Sequence, residues 1–429
     1  MMFAPARFAL AALIMAAAVM LAGGCVPRAD ERVRLRYAIW GSVRQTQVEE
    51  LIVAEFERRH PAVDVELFPV SRGYQEKMQA TMVGGTAADV LMVDSMIYGD
   101  WAERGALADV SDLIAALDAE DPFMPVALDL FRIDGRHYAL PINAGGMVMF
   151  CNLDAFAAAG IELPRDGVTW DEFATWGPKL ARRSGNAQAP TDYLCVAPAP
   201  TALVAAFGVK LFDDAHEPTR VTFGGPAARA AVAFHRRLVA EGWAAPTNAV
   251  ADSGANQLFR DGRVAVLFTG RYSSTEFAGQ TAFDWDVAPA PRQPGAAVDA
   301  AGTGLAISAQ TRVPELAREF LRFYASDAAV KIAVEGGRIV PVRRGQAYGE
   351  HFLAQSPPAT MRLFSEMQEA GAAAPLLYGE GQREVHDILY RRLEQALAEP
   401  GRSEAEIVAG IEADLERWLR RRQAKEARS

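Results

Sequence analysis

The sequence predicts an α/β protein of two lobes, joined by an extended segment that crosses from one to the other. Three observations carry that expectation. The chain has 429 residues, half of them hydrophobic, enough for two or three separate cores. Strand and helix patterns alternate from residue 33 to residue 93 in βαβαβ order, which implies a mainly parallel sheet. The stretch 138–152, YALPINAGGMVMFCN, holds two short apolar runs separated by Pro141 and the pair Gly145-Gly146. Both runs read as buried strand, since 147–151 has no charge and no helical spacing. Pro141 cannot donate to a sheet ladder, and adjacent glycines weaken a strand because they have no side chain to pack. Such a segment either leaves one sheet for another or lets a ligand approach its backbone. A glycine bulge within one ordinary sheet is the alternative, and the crossing is the reading adopted.

The elements follow in order. Val33–Trp40 alternates apolar and polar residues and reads as a strand, ended by Gly41-Ser42. An amphipathic helix over 45–59 places Val48, Leu51, Ile52 and Phe56 inward and stops at His60-Pro61. A strand over 63–70, a helix over 74–83 and a strand over 88–93 come next, with helical patterns at 97–104 and 110–116. Beyond the crossing, a helix starts at 152–159. Thr169, with Glu172 three residues later, forms a capping box for another. Helices are expected at 227–241, 256–261 and 314–324, and strands at 264–269, 284–288 and 304–308. Residues 383–422 are helical apart from Pro400-Gly401, while Pro and Gly mark loops at 190–200 and 289–295.

The net charge of −10 argues against a sequence-independent grip on nucleic acid. The basic cluster Arg420, Arg421, Arg422 and Lys425 reads as a solvated helix end. At the start, Arg7, an apolar segment over 8–21 and Ala22-Gly23-Gly24-Cys25 have the layout of a secretory signal, residues 1–24, too short for a membrane span. Small residues before a cysteine resemble a bacterial lipobox, which makes Cys25 lipidated and the mature N-terminus, followed by a tether to residue 32. Plain signal cleavage is the alternative, because Ala22 stands where a leucine is usual. The acyl chains would bury tens of CH₂ groups at about 0.8 kcal/mol each, enough for a membrane anchor. Cys151 and Cys195 are expected as free, buried thiols. No CxxC or His-rich cluster suggests a metal, and no cofactor motif is present. There is no GxSxG elbow, HExxH or GxxxxGK[ST], so no catalytic residue is assigned and no enzyme activity expected.

A series of short motifs runs through the chain in order. They are FERRHP at 56–61, GGTAADV at 84–90, GRHYALP at 135–141, MFCNLDAF around Asn152 and TWDEF at 169–173. FRDGRVA at 259–265, Gly270-Arg271-Tyr272, GTGLAIS at 302–308 and GGRIVP at 336–341 follow. In this colinear order the chain resembles the bacterial extracellular solute-binding proteins of ABC importers, the family that includes maltose- and glycerol-phosphate-binding proteins. Gly270-Arg271-Tyr272 stands where that family often has Gly-Pro-Trp. The resemblance implies a two-lobe periplasmic-binding-protein-like α/β fold, with crossing strands and a ligand cleft between the lobes. Lobe 1 would combine 33–142 with 284–326, and lobe 2 would combine 143–283 with 327–429. The implied function is a monomeric solute-binding lipoprotein in the periplasm or at the cell surface. It would hold the membrane through its lipid anchor and deliver a carbohydrate or polyol to ABC importer membrane subunits. A phosphorylated polyol as ligand, or a role as anchored sensor or scaffold, are the alternatives.

A sugar presents hydroxyls for hydrogen bonds and C–H faces that pack on rings, so its cleft needs aromatic platforms and polar groups at element ends. Trp40 and Ser42 end the first strand, Asp94 and Ser95 end the third, and Tyr74 follows Gly73. A core tryptophan and a helix cap are the competing roles for Trp40 and for Asp94-Ser95. Asn143, Gly145 and Gly146 offer an amide and close backbone approach. Gly302, Thr303 and Gly304 do likewise from a returning strand, although sheet packing also explains glycines. Tyr272 matches the family's aromatic platform, with Arg271 beside it. Arg338 either bonds a hydroxyl or pairs with a carboxylate; Tyr378 and Glu380 lie in a loop before the last helices. Two guanidiniums, Arg271 and Arg338, would suit a phosphate or carboxylate through forked hydrogen bonds. A neutral saccharide or polyol is the expectation retained.

Overall fold

The structure, a computed structural model, describes residues 32–297, 300–369, 376–378, 381–399 and 401–427. The leader, Cys25 and the tether up to residue 31 lie outside the described residues, as does Glu380.

Twelve strands form two five-stranded sheets and a small hairpin among the described residues. In chain order they are β1 (Val33–Trp40), β2 (Val63–Val70), β3 (Val90–Asp94), the hairpin β4 (Arg132–Ile133) and β5 (Arg136–His137), β6 (Ala139–Gly146), β7 (Val148–Asn152), β8 (Tyr193–Val196), β9 (Ala244–Ala245), β10 (Val264–Thr269), β11 (Trp285–Pro289) and β12 (Ala300–Ile307). The first sheet has the order β2-β1-β3-β12-β6, the second β11-β7-β10-β8-β9. Within the first, β12 runs antiparallel to both neighbours; within the second, β7 runs antiparallel to both of its own. Each reversed strand begins where the chain has just crossed. β6 ends in the first sheet at Gly146 and β7 begins in the second at Val148, which makes 138–152 a crossing rather than a bulge. Pro141 is tolerated because β6 is an edge strand, with its missing donor opposite a register shift at Thr303/Gly304.

Two lobe boundaries differ from the sequence expectation. The strand β11 was expected in lobe 1, yet it pairs along its length with β7 in the second sheet, so the return crossing falls between residues 289 and 300. Residues 327–352 were expected in lobe 2, but helix Asp327–Glu335 packs on helix Val43–Arg59 of the first lobe, and Met124 N donates to the Val342 carbonyl at 2.7 Å. The chain next meets the second lobe at Thr360, which bonds Asp286. Helices Gln382–Ala398 and Glu404–Glu426 then pack on helix Gly225–Ala240 of that lobe. Periodicity identifies the buried face of an element but carries no information about which sheet will bury it.

Helix Val43–Arg59 starts two residues earlier than its apolar stripe suggests, because Ser42 and Gln45 form a reciprocal capping box. Its inner face is Val48, Glu49, Ile52, Val53 and Phe56, whereas Leu51, expected inside, is 60% exposed. Phe56 and Tyr37 pack edge-on against Phe320 in the first core. In the second lobe Trp170 is ringed by Phe173, Phe207, Phe234 and Phe268. Each such ring contributes roughly 1.5–3 kcal/mol by leaving water.

Cys151 and Cys195 are free and buried, as expected. Both are in register with Val266, on opposite sides of β10, so an intact strand separates their sulfurs. Burial pushes both thiols far above their usual range.

His235, on the buried face of helix Gly225–Ala240, has neither ring nitrogen hydrogen-bonded. Burial pulls its pKa down to about 4, against the ordinary 6.5. The unfolded chain therefore binds a proton between those values that the native state refuses. Stability is fully present above pH 6.5 and falls as pH drops toward 4, by about 3 kcal/mol for the whole span. Denaturation midpoints across that window should show the decline, and His235→Leu should flatten that share of it. Equal slopes in both proteins would locate the pH sensitivity elsewhere.

Candidate functional site

In an open parallel sheet, ligands gather outside the carboxyl ends of the strands. Here the ends of β1, β3, β6 and β10 and the beginnings of the reversed strands β7 and β12 all open on one cleft between the lobes. Trp40 and Asp94 close β1 and β3, Gly145 and Gly146 close β6, and Met147 spans the crossing. Ala300 to Thr303 open β12, and Gly270 to Tyr272 follow β10. The cleft has a volume of about 570 Å³. That is the size of a small-molecule site.

Among the aromatic rings that line it are Tyr272 and Trp40. Tyr272 sits on the 3₁₀ turn Arg271–Ser273 and is 48% exposed, an unusual degree for a large ring in a concave wall. Gly270 makes room for it: a Cβ there would lie 2.7 Å from the Tyr272 ring. Trp40, half-buried, is braced edge-on by Tyr74 at 5.0 Å between centroids. Polar groups surround the rings. Asp94 caps helix Ser95–Glu103, one oxygen accepting from Met96 N at 2.8 Å. Burial pushes its carboxyl above the usual range, against the pull of that N–H and of nearby Arg383 and His386. Gly145 has φ +150°, and a Cβ there would meet nothing within 4 Å, so its backbone lies open to the cleft. Asn143 Oδ1 accepts from Val340 N at 2.8 Å, pinning the wall that carries Arg338.

Both arginines are engaged inside the protein. Arg338 Nε donates to Glu49 Oε1 at 3.0 Å, and Nη2 donates to the Trp40 carbonyl at 3.1 Å and reaches Met92 Sδ at 3.0 Å. Glu49 has 0% exposure and also accepts from Tyr37 and Tyr324. Burial lowers the affinity of Arg338 for its proton, but Glu49, together with the Tyr324 and Tyr37 hydroxyls, more than reverses this and holds its pKa above normal. Arg271 is buried and donates to Ser274 Oγ at 2.9 Å and to the carbonyls of Gly337 and Val334 at 3.4 and 3.5 Å. Burial pulls its pKa down to about 10, so it stays cationic at neutral pH. Among the described residues no group of His, Cys, Asp or Glu is arranged to hold a metal.

The family model described as bacterial extracellular solute-binding protein matches residues 41–331. The chain belongs to that family. An uncharacterised lipoprotein from the oleD 5′ region of Streptomyces antibioticus is 28% identical over 296 residues, 65% of this chain and 64% of its own length, so the match spans a little under two thirds of that relative. The maltodextrin-binding protein MdxE of Bacillus subtilis is 23% identical over 70% of this chain and 72% of its own. Among solved structures, the ABC substrate-binding protein Lmo0181 from Listeria monocytogenes, in complex with cycloalternan, superposes with a TM-score of 0.78 at 22% identity, over 90% of this chain and 99% of that one. UgpB from Mycobacterium tuberculosis, in complex with glycerophosphocholine, gives 0.75 at 24%, over 90% and 98%. These structures share the two-lobe fold.

For this solute-binding protein, the cleft brings together Trp40, Asp94, Asn143, Gly145, Gly146, Arg271, Tyr272, Gly302, Thr303 and Arg338. Other expected site residues lie elsewhere, each for a local reason. The Ser42 hydroxyl is used by its helix, accepting from Gln45 N. The Tyr74 hydroxyl points into the sheet and bonds the carbonyls of Met92 (2.8 Å) and Ala38 (3.1 Å). Ser95 is fully buried, and its Oγ accepts from Gly302 N, tying β12 to the end of β3. At Gly304 a Cβ would strike Phe131 at 2.9 Å, so the glycine serves packing. Tyr378 stacks on His216 at 4.0 Å beside a separate groove.

The sequence reading missed Gln45, Thr201 and Glu276, together with a wall from the C-terminal segment: Phe364, Met367, Gln382 and His386. Gln382 and His386 are spaced i, i+4, and so share one face of helix Gln382–Ala398. That spacing was legible, but nothing local tells that this face meets residues some three hundred positions earlier.

Proposed function

We propose that the protein is an exported, lipid-anchored binding protein that captures a neutral carbohydrate or polyol in the interlobe cleft and delivers it, chemically unchanged, to the membrane subunits of an ABC importer. The observation that carries this reading is the exposed Tyr272 ring opposite a wall of polar groups, with both nearby arginines already bonded within the protein. Rings pack on the C–H faces of a saccharide, and Asp94, Asn143, Gln45 and Gln382 suit its hydroxyls. The maltodextrin-binding relative and the cycloalternan-bound neighbour support the same class. A phosphorylated polyol is the second reading. It is favoured by one observation: the buried Arg271 has no carboxylate partner among the described residues.

Thermal denaturation against a panel of maltose, maltotriose, arabino-oligosaccharides, glycerol and glycerophosphocholine tests both readings. A true ligand at about 100 times Kd adds roughly 2.7 kcal/mol of stability. Stabilisation by neutral saccharides alone supports the first reading. Tighter, salt-sensitive binding of the phosphodiester, lost in Arg271→Ala, would replace it with the second. Recovery of a chemically altered panel member would refute a binding role without chemistry.

The anchor rests on Ala22-Gly23-Gly24-Cys25, and on a relative that is itself a lipoprotein. Mass spectrometry of the membrane fraction is expected to find the mature N-terminus at Cys25, acylated. A soluble protein with an unmodified N-terminus would rule the anchor out.

A further inference from the structure

Beside the cleft, mostly outside its lining, the two lobes meet along a narrow seam. Arg271 and Thr275 approach from the second lobe, on the consecutive short helices Arg271–Ser273 and Ser274–Phe277 that follow β10. Facing them are Arg44, on helix Val43–Arg59, and the turn at Gly336-Gly337 where helix Asp327–Glu335 ends. Arg44 Nη1 donates to the Thr275 carbonyl at 3.4 Å. Arg271 donates the other way, to the carbonyls of Gly337 and Val334.

The fit is closest at Gly337. A Cβ there would lie 1.8 Å from Thr275 Cγ2 and 3.1 Å from Arg271 Nη1, and φ is +69°. The first-lobe side of this contact is firmly held. A Cβ on Gly336 would meet Val48 at 2.3 Å, and Arg338, the next residue but one, is bonded to Glu49 and to the Trp40 carbonyl. The second-lobe side is an end of two short helices. The Val334 carbonyl belongs to the last turn of its helix, also accepts from Gly337 N at 2.9 Å, and lies at the partly negative helix end. A guanidinium of one lobe therefore sits on the negative end of a helix of the other. Bonds of a cation to carbonyls break readily into water when the lobes part, since every group regains a solvent partner.

We propose that this seam is a closure latch. Its contacts form only when the lobes approach, and through Thr275, Gly337 and Arg44, none of which lines the cleft, it sets solute affinity by weighting the closed state. The proposal rests on the reading of the cleft as a solute site. Apparent affinity scales with the fraction of molecules in the binding-competent state, so a residue remote from the solute changes Kd by changing that fraction.

The test uses the mature protein carrying Thr275→Phe, which adds bulk where Gly337 leaves none. Ligand-free small-angle scattering should give a larger radius of gyration than wild type. Binding of maltotriose, or of the panel saccharide that binds wild type most tightly, should weaken about tenfold or more, chiefly through faster dissociation. At saturation the two radii should converge. Should phenylalanine at 275 impair folding, Arg44→Ala, at an exposed position, carries the same readouts with a smaller effect. An unchanged ligand-free radius overturns the latch whatever happens to affinity, because a weaker Kd would then report a lost solute contact. A larger radius with wild-type affinity overturns it equally. If no panel member binds wild type, the solute reading fails on its own, and the ligand-free scattering still decides whether the seam holds the lobes together.

Discussion

Tyr272→Ala is expected to weaken solute binding at least tenfold while leaving the free energy of unfolding within about 1 kcal/mol of wild type. The ring is half exposed and lies over Gly270, so its removal opens no cavity in the core. A ring in a binding site contributes through its face, and a central aromatic anchor is commonly worth 2 kcal/mol or more, against 1.4 kcal/mol for each factor of ten. Tyr272→Phe should retain most of the affinity if the face is what matters. Trp40→Ala should behave differently. Trp40 is half-buried and braced by Tyr74, so both affinity and stability should fall, with the upper limit set by the about 3–5 kcal/mol typical of a truncated core aromatic. Calorimetric titration beside a denaturation curve separates the two effects. Wild-type affinity in Tyr272→Ala would remove this ring from the site.

Arg338→Met is expected to destabilise the fold by about 3–5 kcal/mol, the largest stability effect foreseen for a single change here. The substitution leaves the Glu49 carboxylate at 0% exposure, with only two phenol donors. Breaking one side of a buried ion pair costs far more than the pair itself contributes, because the remaining charge has lost its compensation. Glu49→Gln combined with Arg338→Met removes both charges and should recover most of the loss. A denaturant series on the two single variants and the double variant measures the coupling. Additive losses would mean that the two charges do not depend on each other.

The sequence carried the strand ends well. Trp40, Asp94 and Tyr272 sit where an apolar run stops at Gly or at a helix cap, and such stops are local. Residue 49 was harder. A glutamate beside an apolar stripe reads as solvated, and only the arrival of Arg338 from the far end of the chain makes its burial tolerable, with Leu51 rotated outward instead. Tyr74 failed for a related reason: its hydroxyl finds two strand carbonyls before it can reach the cleft. The wall of Phe364, Met367, Gln382 and His386, and the sheet membership of β11, depend on contacts between distant segments, which no local period encodes.

The position of β12 bears on how the chain can fold at all. It lies between β3 and β6 and is hydrogen-bonded to both, yet residue 300 follows residue 94 only after the whole second sheet has been traversed. A polypeptide delivered N-terminus first therefore cannot complete the first lobe early. Until residue 307 is free, β3 and β6 each present an unpaired edge, an open template for association with another chain. Closing so long a loop is slow in folding terms, and it makes the second lobe the piece most able to form first. Truncations that end before residue 300 should therefore aggregate rather than yield a stable N-terminal half.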